Sequence, residues 1–358
     1  MLVRLLSNDF PRSRILAVLL IVIVIGLAFA PFLFPGSKAL NVAAKICVFI
    51  ALAASYDLLL GYTGIVSFAH TMFYGIGAYG VGIALYSAEP SWGFVALGFV
   101  AGILVAVPLA LAIGLLSLRV KAIFFAMITL AVASAFAVLA SQLSSITGGE
   151  DGRNFRVPEI LRPAFKLIEM PLFGVDVNGR VLSYYVVFIG CLMLFLLLLR
   201  VVNSPFGRVL QAIRENSFRA EALGYKTVIY RTLANCLSAA IAAAVGGLWA
   251  LWLRHTGPET TLSFSIMMDI LLMVVIGGMG TLYGAVLGAT LFILAQNYLQ
   301  ALMGSASSAF SDVPVLAVLF HPDRWLLWLG ILFILSVYFF PTGIVGRLRD
   351  GRAARQSS

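Results

Sequence analysis

Long apolar stretches separated by short polar segments occupy almost the whole chain. A helix of roughly 20 apolar residues crosses the ~30 Å hydrocarbon core of a bilayer, and most of these stretches approach that length. The pattern predicts an all-α, polytopic bundle of about ten membrane-spanning helices. The predicted spans are 15–34, 40–60, 64–86, 92–117, 120–141, 182–202, 231–253, 265–279, 281–303 and 325–340.

The composition agrees with a membrane location. Of the 358 residues, 61% are hydrophobic and only 11% are charged, whereas a soluble domain carries about 25% charged residues. So few charges cannot cover a water-facing surface of this size, which excludes a large soluble domain. We expect one transmembrane domain over residues 1–358.

Basic residues determine the expected orientation. They are concentrated in the N-terminal tail, the 203–230 loop and the C-terminal tail. Ten spans put these three segments on one side, which the positive-inside rule makes cytoplasmic; both termini are then cytoplasmic, and the 142–181 loop is external. Tryptophan favours membrane interfaces, and all five tryptophans fall on the external side: Trp92, Trp249, Trp252, Trp325 and Trp328.

The same orientation rule accounts for the net charge of +9. In a soluble protein this charge would point to nucleic acid. However, no stretch interleaves aromatic and basic residues as a nucleic-acid surface does. We therefore expect membrane lipid around the chain and no nucleic-acid partner.

Small residues recur at four-residue spacing within the predicted spans. Four residues are about one helical turn, so each set forms a smooth stripe along which two helices can approach closely. They predict a tightly packed bundle. The sets are Gly98 and Gly102, Ala78 and Gly82, Ala242 and Gly246, and Gly280, Gly284 and Gly288.

Two parts of the chain repeat one pattern, an apolar helix with a single acid that leads into a glycine-rich segment. Asp57 precedes 61–64 (GYTG), and Asp269 precedes 277–280 (GGMG). Glycine-interrupted spans in the two halves of a chain point to the central pathway of a transporter. The predicted pathway residues are Gly64, Ser67, His70, Gly75, Gly277, Gly280 and Gly284.

Ionisable residues inside a span cost about 2.5–3.5 kcal/mol each on insertion scales, so they usually face a cavity or a partner. Lys45 lies one turn into its span on the external side, where snorkelling explains it. Asp57 and Asp269 lie near predicted cytoplasmic ends, where capping or snorkelling is favoured. His70 leaves two interpretations open, a hydrogen-bonded packing residue or a functional relay or ligand.

No reactive constellation is visible in the sequence. The segment 147–152 is glycine-rich but lacks the Lys-Ser/Thr of a phosphate-binding loop, and no strand precedes it. We expect a mobile external loop there, free to contact a partner. Because no nucleophile–base pair, paired catalytic carboxylates or zinc-ligand set occurs, we expect no catalytic residues, no metal and no bound cofactor.

The 203–230 loop predicts a short amphipathic helix over 208–223. Glu215 and Arg219 have the spacing of an i,i+4 ion pair, and Gly224 is a helix stop. Such a helix can receive force from a separate motor protein. Alternatively, it lies in the membrane interface and only anchors the loop.

Three separated segments resemble the permease subunits of bacterial branched-chain amino acid ABC importers, specifically the second of their two permeases. They are 61–85 (GYTGIVSFAHTMFYGIGAYGVGIAL), 212–225 (AIRENSFRAEALGY) and 271–289 (LLMVVIGGMGTLYGAVLGA). The resemblance covers most of residues 40–340. This chain has Asp57, Asp269 and Ala285 where the family pattern has Asn, Glu and Pro.

The resemblance implies a multi-pass subunit of the bacterial inner membrane. Its partners are then a homologous second permease, two cytoplasmic ATPase subunits that use the ATP, and a periplasmic substrate-binding protein; this chain itself is not an enzyme. The 208–224 segment becomes the coupling helix, in which three residues match the Glu-Ala-Ala…Gly loop of ABC permeases. The implied coupling residues are Arg214, Glu215, Arg219, Glu221, Ala222 and Gly224.

The cargo implied by the resemblance is a branched-chain, hydrophobic amino acid, but alternatives stay open. Urea and short-amide ABC permeases share the three segments, and a sugar ABC permease would differ by cargo alone. An ion-coupled secondary transporter requires paired intramembrane acids and bases, and an intramembrane enzyme requires a reactive constellation. The sequence favours neither of these last two.

Overall fold

The structure, a computed structural model, describes residues 13–34, 36–87, 89–117, 122–166, 177–309, 319–340 and 343–350. Most of the basic N-terminal tail, residues 167–176 of the 142–181 loop and the end of the C-terminal tail lie outside the described residues. The helices are α1 (Arg14–Ala28), α2 (Ala30–Leu33), α3 (Ser37–Thr63), α4 (His70–Ser87), α5 (Trp92–Ser117), α6 (Ala122–Gln142), α7 (Ser144–Thr147), α8 (Gly179–Val202), α9 (Pro205–Glu215), α10 (Ser217–Ala222), α11 (Thr227–Leu253), α12 (Pro258–Thr261), α13 (Phe264–Gly277), α14 (Leu282–Ala309), α15 (Trp325–Phe339) and α16 (Gly343–Asp350).

Seven of the described helices are long and apolar enough to cross a membrane. They cover Ser37–Thr63, Trp92–Leu115, Ile123–Gln142, Gly179–Val202, Thr227–Leu253, Pro258–Gly277 and Leu282–Ser308. The chain is therefore an all-α, polytopic membrane protein, as the hydrophobic pattern predicts. The other three predicted spans correspond to α1, α4 and α15, which are shorter, with 15, 18 and 15 residues.

The centre of the bundle is α3, which packs against α8, α11, α13 and α14. Its most apolar stretch is 94% buried, against 17% for the corresponding stretch of α6. A helix that is apolar on all sides is stable only when other helices or lipid surround it. The sequence of α3 therefore suits a central position, whereas α6 lies at the periphery.

Glycines bring the backbones of α4, α5 and α11 into contact. A Cβ at Gly77 or Gly246 would overlap a backbone carbonyl of the neighbouring helix, and a Cβ at Gly98 would overlap the backbone of α4. The predicted close approach is therefore confirmed for the Gly98 and Gly246 stripes, whereas Gly82 faces the Thr256 side chain. In the fourth stripe Gly288 packs against α13, but Gly280 lies in the turn before α14 with a φ of +82°.

Residues 64–69 are not helical, so the predicted span 64–86 is wrong in its first turn and a half. Gly64, with a φ of +72°, ends α3, and α4 begins only at His70. The non-helical segment between them is largely buried, and its Phe68 N–H donates to Thr129 Oγ1 on α6 at 3.0 Å. Irregular backbone at membrane depth is tolerated where protein buries it or where it lines a cavity.

Where the structure describes it, the 142–181 loop is packed onto the bundle, and the expected mobility of 147–152 stays a prediction. Its strand β1 (Arg153–Asn154) pairs antiparallel with β2 (His255–Thr256) after α11. The side chains of Phe155, Val157 and Leu161 are at most 7% exposed and pack against the ends of α4, α5 and α11. Apolar burial therefore fixes this segment.

The bundle has two distinct ends, because α3 extends from one to the other over about 40 Å. At its first residue, the Ser37 hydroxyl accepts from Arg180 Nη1 at 2.8 Å, and the Arg180 guanidinium lies over the Trp252 ring. We call this the ribbon end, because the two-stranded ribbon of β1 and β2 lies there, just after Trp252. Near its last residue, α3 contacts α9 through Gly61 and Arg214; this is the α9 end.

Candidate functional site

The 203–230 loop forms two short helices, and the predicted single helix over 208–223 is wrong. Asn216 leaves the helical conformation (φ −157°, ψ 97°), and its side chain accepts from the N–H of Arg219 at 2.9 Å, which caps α10. The break separates Glu215 from Arg219, so the predicted i,i+4 ion pair is also wrong. Within the described part of the chain these two side chains form no ion pair.

Gly224 ends α10, as expected of a helix stop. Its φ is +93°, and the N–H groups of Gly224 and Tyr225 donate to the carbonyls of Glu221 and Ala220 at 2.9 and 3.1 Å. These are the hydrogen bonds of a Schellman motif. The Glu221 carboxylate accepts from Thr227 Oγ1 and so ties α10 to the first residue of α11; the neighbouring Ala222 is exposed.

Two large apolar side chains are exposed to solvent at this end of the bundle. Phe218 of α10 is 82% exposed and Leu223 is 73% exposed. On the other side of the segment, Leu210, Ile213 and Ala220 are buried against the bundle. The amphipathic segment thus buries one apolar side and leaves a second apolar patch uncovered.

Arg214 connects α9 to the two glycine-rich segments of the sequence. Its Nη1 donates to the carbonyl of Gly61 in α3. A Cβ at Gly64 would lie 3.3 Å from Arg214 Cγ, and one at Gly280 would lie 2.6 Å from Nη1. Glycine is therefore needed at these positions for the guanidinium to reach the bundle. We call Arg214, Gly61, Gly64, Gly280 and Asp57 together the α9 node.

Asp57 connects the same two segments directly. Its side chain is fully buried, and Oδ1 accepts from the N–H of Gly280 at 2.8 Å. The Arg214 guanidinium attracts the carboxylate electrostatically. The predicted capping role of Asp57 is consistent with this contact, although the segment it caps belongs to the other half of the chain.

The seven predicted pathway residues fall into two groups. Gly64 and Gly280 belong to the α9 node, and Gly277 contacts the backbone of Gly284 where α13 meets α14. Ser67 and His70 are each 1% exposed in the core between α3 and α4. Gly75, one turn further along α4, packs against the Leu262 side chain.

His70 is hydrogen-bonded to α3. The Ser55 hydroxyl donates to the Leu52 carbonyl at 2.8 Å, so its oxygen accepts from His70 Nε2 at 2.9 Å. Ser238 of α11 donates to the carbonyl of Ser55 at 2.6 Å. This buried chain joins three helices and supports the packing interpretation, while Nδ1 of His70 has no partner among the described residues.

Lys45 and Asp269 belong to one polar chain across three helices, so the snorkelling interpretation of Lys45 is wrong. Lys45 Nζ donates to Gln296 Oε1 at 2.8 Å, and Gln296 Nε2 donates to Asp269 Oδ2 at 3.3 Å. Asp269 lies near the middle of Pro258–Gly277 rather than near its end. An amide bridge of this kind satisfies a half-buried cation and a half-buried anion together.

A cavity of about 500 Å³ opens at the ribbon end between the start of α4, one face of α6 and the α12–α13 region. Phe68, Thr71 and Leu130 line its inner part, whereas Glu150 and Glu259 lie at its mouth. Of the predicted pathway residues, Gly75 adjoins it through Leu262, which is part of the wall. The α9 node and the cavity therefore lie towards opposite ends of the bundle.

The family model of the branched-chain amino acid transport system permease component matches residues 38–337. This chain belongs to that family. The matched range begins in α3 and ends in α15, so it includes the α9 node, the polar chain and the cavity.

Several curated permeases are similar to this family member. The high-affinity branched-chain amino acid transport system permease protein LivM of Salmonella typhimurium is 26% identical over 328 residues, which are 85% of this chain and 73% of the relative. The probable LivM of Methanocaldococcus jannaschii is 28% identical over 251 residues, 70% of this chain and 65% of the relative. LivH of Salmonella typhimurium is 24% identical over 301 residues, 83% of this chain and 90% of the relative. No solved structure matches the chain.

The three segments that carry the family resemblance converge in the permease structure. Segments 61–85, 212–225 and 271–289 contribute Gly61, Arg214 and Gly280 to the α9 node. Sequence reasoning placed Arg214 on the coupling segment but missed its contact with α3. It also missed Gln296, because a single amide in an apolar helix carries no periodic signal.

Proposed function

We propose that this chain is a membrane-spanning permease subunit of an ABC importer that moves branched-chain amino acids across a bacterial inner membrane. The chain spans the membrane ten times, with α1, α4 and α15 completing the seven longer helices and with both termini cytoplasmic. The α9 end is cytoplasmic, because the basic 203–230 loop lies there. The whole of 1–358 is one permease domain.

The Arg214 contact carries this proposal. It links a helix on the cytoplasmic surface to α3 and to the α13–α14 turn, which are elements of the two halves of the chain. Displacement of α9 and α10 by a motor protein therefore reaches both halves through one side chain. A helix that served only as an interfacial anchor would not require such a contact.

Separate ATPase subunits supply the energy in this proposal. Phe218 and Leu223 form an exposed apolar patch of the kind that marks a protein interface. Glu221 and Gly224 hold that patch in position through the Thr227 hydrogen bond and the Schellman motif. ATP is bound by the ATPases, so this chain needs no cofactor of its own and is not an enzyme.

The remaining partners follow from the family. A second permease of similar fold completes the membrane unit; the chain's similarity to both LivM and LivH proteins supports a shared permease architecture. A periplasmic binding protein delivers the cargo at the ribbon end. The cargo is a branched-chain amino acid, which the similarity to branched-chain amino acid permeases supports.

Affinity purification tests the partners. The tagged chain is extracted in mild detergent from its native membrane, and co-purifying proteins are identified by mass spectrometry. We expect a Walker-type ATPase and a second apolar permease. Phe218→Ser should release the ATPase, whereas Ile160→Ser, which changes an exposed apolar side chain of the 142–181 loop, should retain it. Reproducible purification of the chain alone, with solute transport in liposomes without ATP, would mean a secondary transporter.

A second assay separates the cargo alternatives. The purified complex in proteoliposomes is supplied with ATP and with either radiolabelled L-leucine or radiolabelled urea. ATP-driven uptake of leucine supports the amino acid assignment. Uptake of urea alone would assign the chain to the short-amide permeases and leave the coupling proposal intact.

A further inference from the structure

The cavity between α4, α6 and α13 reaches from the ribbon end to the middle of the bundle. Its wall on α6 extends from Leu130 to Gln142, which at 1.5 Å per residue is about 18 Å. Its inner part lies beside the start of α4, where His70 is hydrogen-bonded to Ser55. Ser55 is itself about 12 Å along α3 from the α9 end. The start of α4 is therefore the inner end of the cavity, which we call its floor, and the α9 node lies beyond it.

Two unpaired groups lie at the floor of this cavity. Thr71 is 2% exposed and lines the cavity, yet its hydroxyl makes no hydrogen bond to any described residue. It is the second residue of α4, and the first N–H of α4 with a backbone acceptor is that of Phe73, which donates to Ala69 at 3.3 Å. The N–H groups of the residues before Phe73 are therefore left free at a buried helix start.

A hydroxyl that faces the cavity, beside a helix start without backbone acceptors, can bind an acceptor that enters the cavity. Unpaired donors in a low-dielectric site are costly, and the positive end of the helix dipole favours an anionic ligand. In transporters, helix starts in the middle of the membrane point at anionic substrate groups. A carboxylate satisfies the hydroxyl, the free N–H groups and the dipole together.

The rest of the inner cavity suits a hydrocarbon chain. Phe68, Leu130 and Leu262 face it, and Ala133 and Ala137 leave room between the larger side chains. A volume of about 500 Å³ lies in the range of small-ligand pockets. At the mouth, the carboxylates of Glu150 and Glu259 form no ion pair with any described residue. They favour solutes with a positive group and disfavour anions.

Resting on the proposed function, we propose that this cavity holds the transported amino acid in transit, with Thr71 and the start of α4 as its carboxylate site. Its carboxylate contacts the Thr71 hydroxyl and the start of α4, its side chain packs against Phe68, Leu130 and Leu262, and its ammonium group faces the mouth. Thr71 is thus a binding residue for the cargo, which urea, with no carboxylate and no hydrocarbon chain, would not engage.

Thiol protection tests this site independently of ATP coupling. Ser134→Cys places a thiol on the cavity wall of α6, and the native Cys47, Cys191 and Cys236 are buried or half-buried. The full complex, in proteoliposomes with the ribbon end facing outwards, is treated with a charged, membrane-impermeant thiol reagent. Leu104→Cys, on the exposed apolar side of α5, is the control that should not react.

We expect L-leucine to slow labelling of the Ser134→Cys variant in a saturable manner, and urea at the same concentration to have no effect. In that background, Thr71→Val keeps the shape but removes the hydroxyl, so the half-protecting leucine concentration should rise about tenfold, the size of one lost hydrogen bond to a charged group. Thr71→Ser, which keeps the hydroxyl, should keep the half-protecting leucine concentration of the parent. Thr290→Val, which removes a hydroxyl bonded within α14, should leave it unchanged.

Three results would overturn the site. They are a thiol at position 134 that does not react, labelling that leucine does not slow, and equal protection in Thr71→Val and the parent. ATP-driven uptake and ATPase co-purification are measured in separate assays that do not depend on thiol labelling. Loss of leucine protection with intact ATP-driven uptake therefore rejects the binding site and keeps the permease proposal.

Discussion

Asp57 Oδ1 accepts a hydrogen bond from the backbone N–H of Gly280 at 2.8 Å, although 223 positions separate the two residues. The contact joins the end of α3 to the turn between α13 and α14, and both elements lie beside Arg214 of α9. A surface helix, a buried acid and a backbone turn therefore form one unit at the α9 end.

Replacement of Asp57 tests whether that unit needs an acceptor or a charge. Asp57→Asn keeps an oxygen for the Gly280 N–H and removes a buried charge, so folding should be nearly unchanged. Asp57→Ala leaves the buried N–H without its partner and should destabilise the protein by about 1–3 kcal/mol. Thermal denaturation of the purified protein in detergent measures both, and equal loss in the two variants would show that the charge matters.

Arg214→Ala should separate ATP hydrolysis from transport. The variant removes the side chain that joins α9 to Gly61, while the apolar patch at Phe218 and Leu223 remains. We expect normal co-purification of the ATPase but at least about a tenfold fall in ATP-driven uptake, as for the loss of a charged hydrogen bond. Arg208→Ala, on the exposed side of the same helix, is the matched control, and an equal fall there would argue against the node.

Gly75→Ala should narrow the cavity. A methyl group at this position would overlap the Leu262 side chain, which must then move within the cavity wall. We expect slower uptake of leucine than of valine relative to the parent chain. Gly26→Ala is the control, because nothing lies within 4 Å of a Cβ there and alanine in a helix is favoured over glycine by about 1 kcal/mol. Unchanged leucine uptake in Gly75→Ala would mean that Leu262 does not restrict the path.

The polar chain of Lys45, Gln296 and Asp269 should behave as one unit in a mutant cycle. Lys45→Met and Asp269→Asn each leave an unpaired charge in the bundle and should destabilise it, whereas the double variant removes both charges. Residues in one such network show interaction energies of about 0.5–3 kcal/mol. The denaturation temperatures of the parent, the two single variants and the double variant give the cycle. If the two single effects add up to that of the double variant, Gln296 does not couple the two charges.

The helix content and the tight packing were predictable because both depend on local sequence. Apolar stretches of span length and glycines at four-residue spacing specify helices and their close contacts, and the backbone contacts at Gly246 and Gly98 agree with them. The break at Asn216 was missed because hydrophobic periodicity continues across it from Ile213. Its capping hydrogen bond to Arg219 decides the boundary instead.

The candidate site was predictable in its residues but not in its connections. The two glycine-rich segments and Arg214 stand out in the sequence, yet only the fold brings Asp57 to Gly280. Lys45 and Asp269 looked like separate charges because Gln296, which joins them, is an ordinary residue in sequence terms. The packing of the 142–181 loop was not predicted, because its burial depends on distant helices.

The non-helical segment 64–69 separates α3 from α4 by six residues. Backbone outside a helix lacks the i→i−4 hydrogen bonds that stiffen one, so the two helices are not one continuous rod. A Cβ at Gly77 or Gly246 would overlap the backbone of the facing helix. The position of α4 is therefore set by its packing against α11 rather than by continuity with α3.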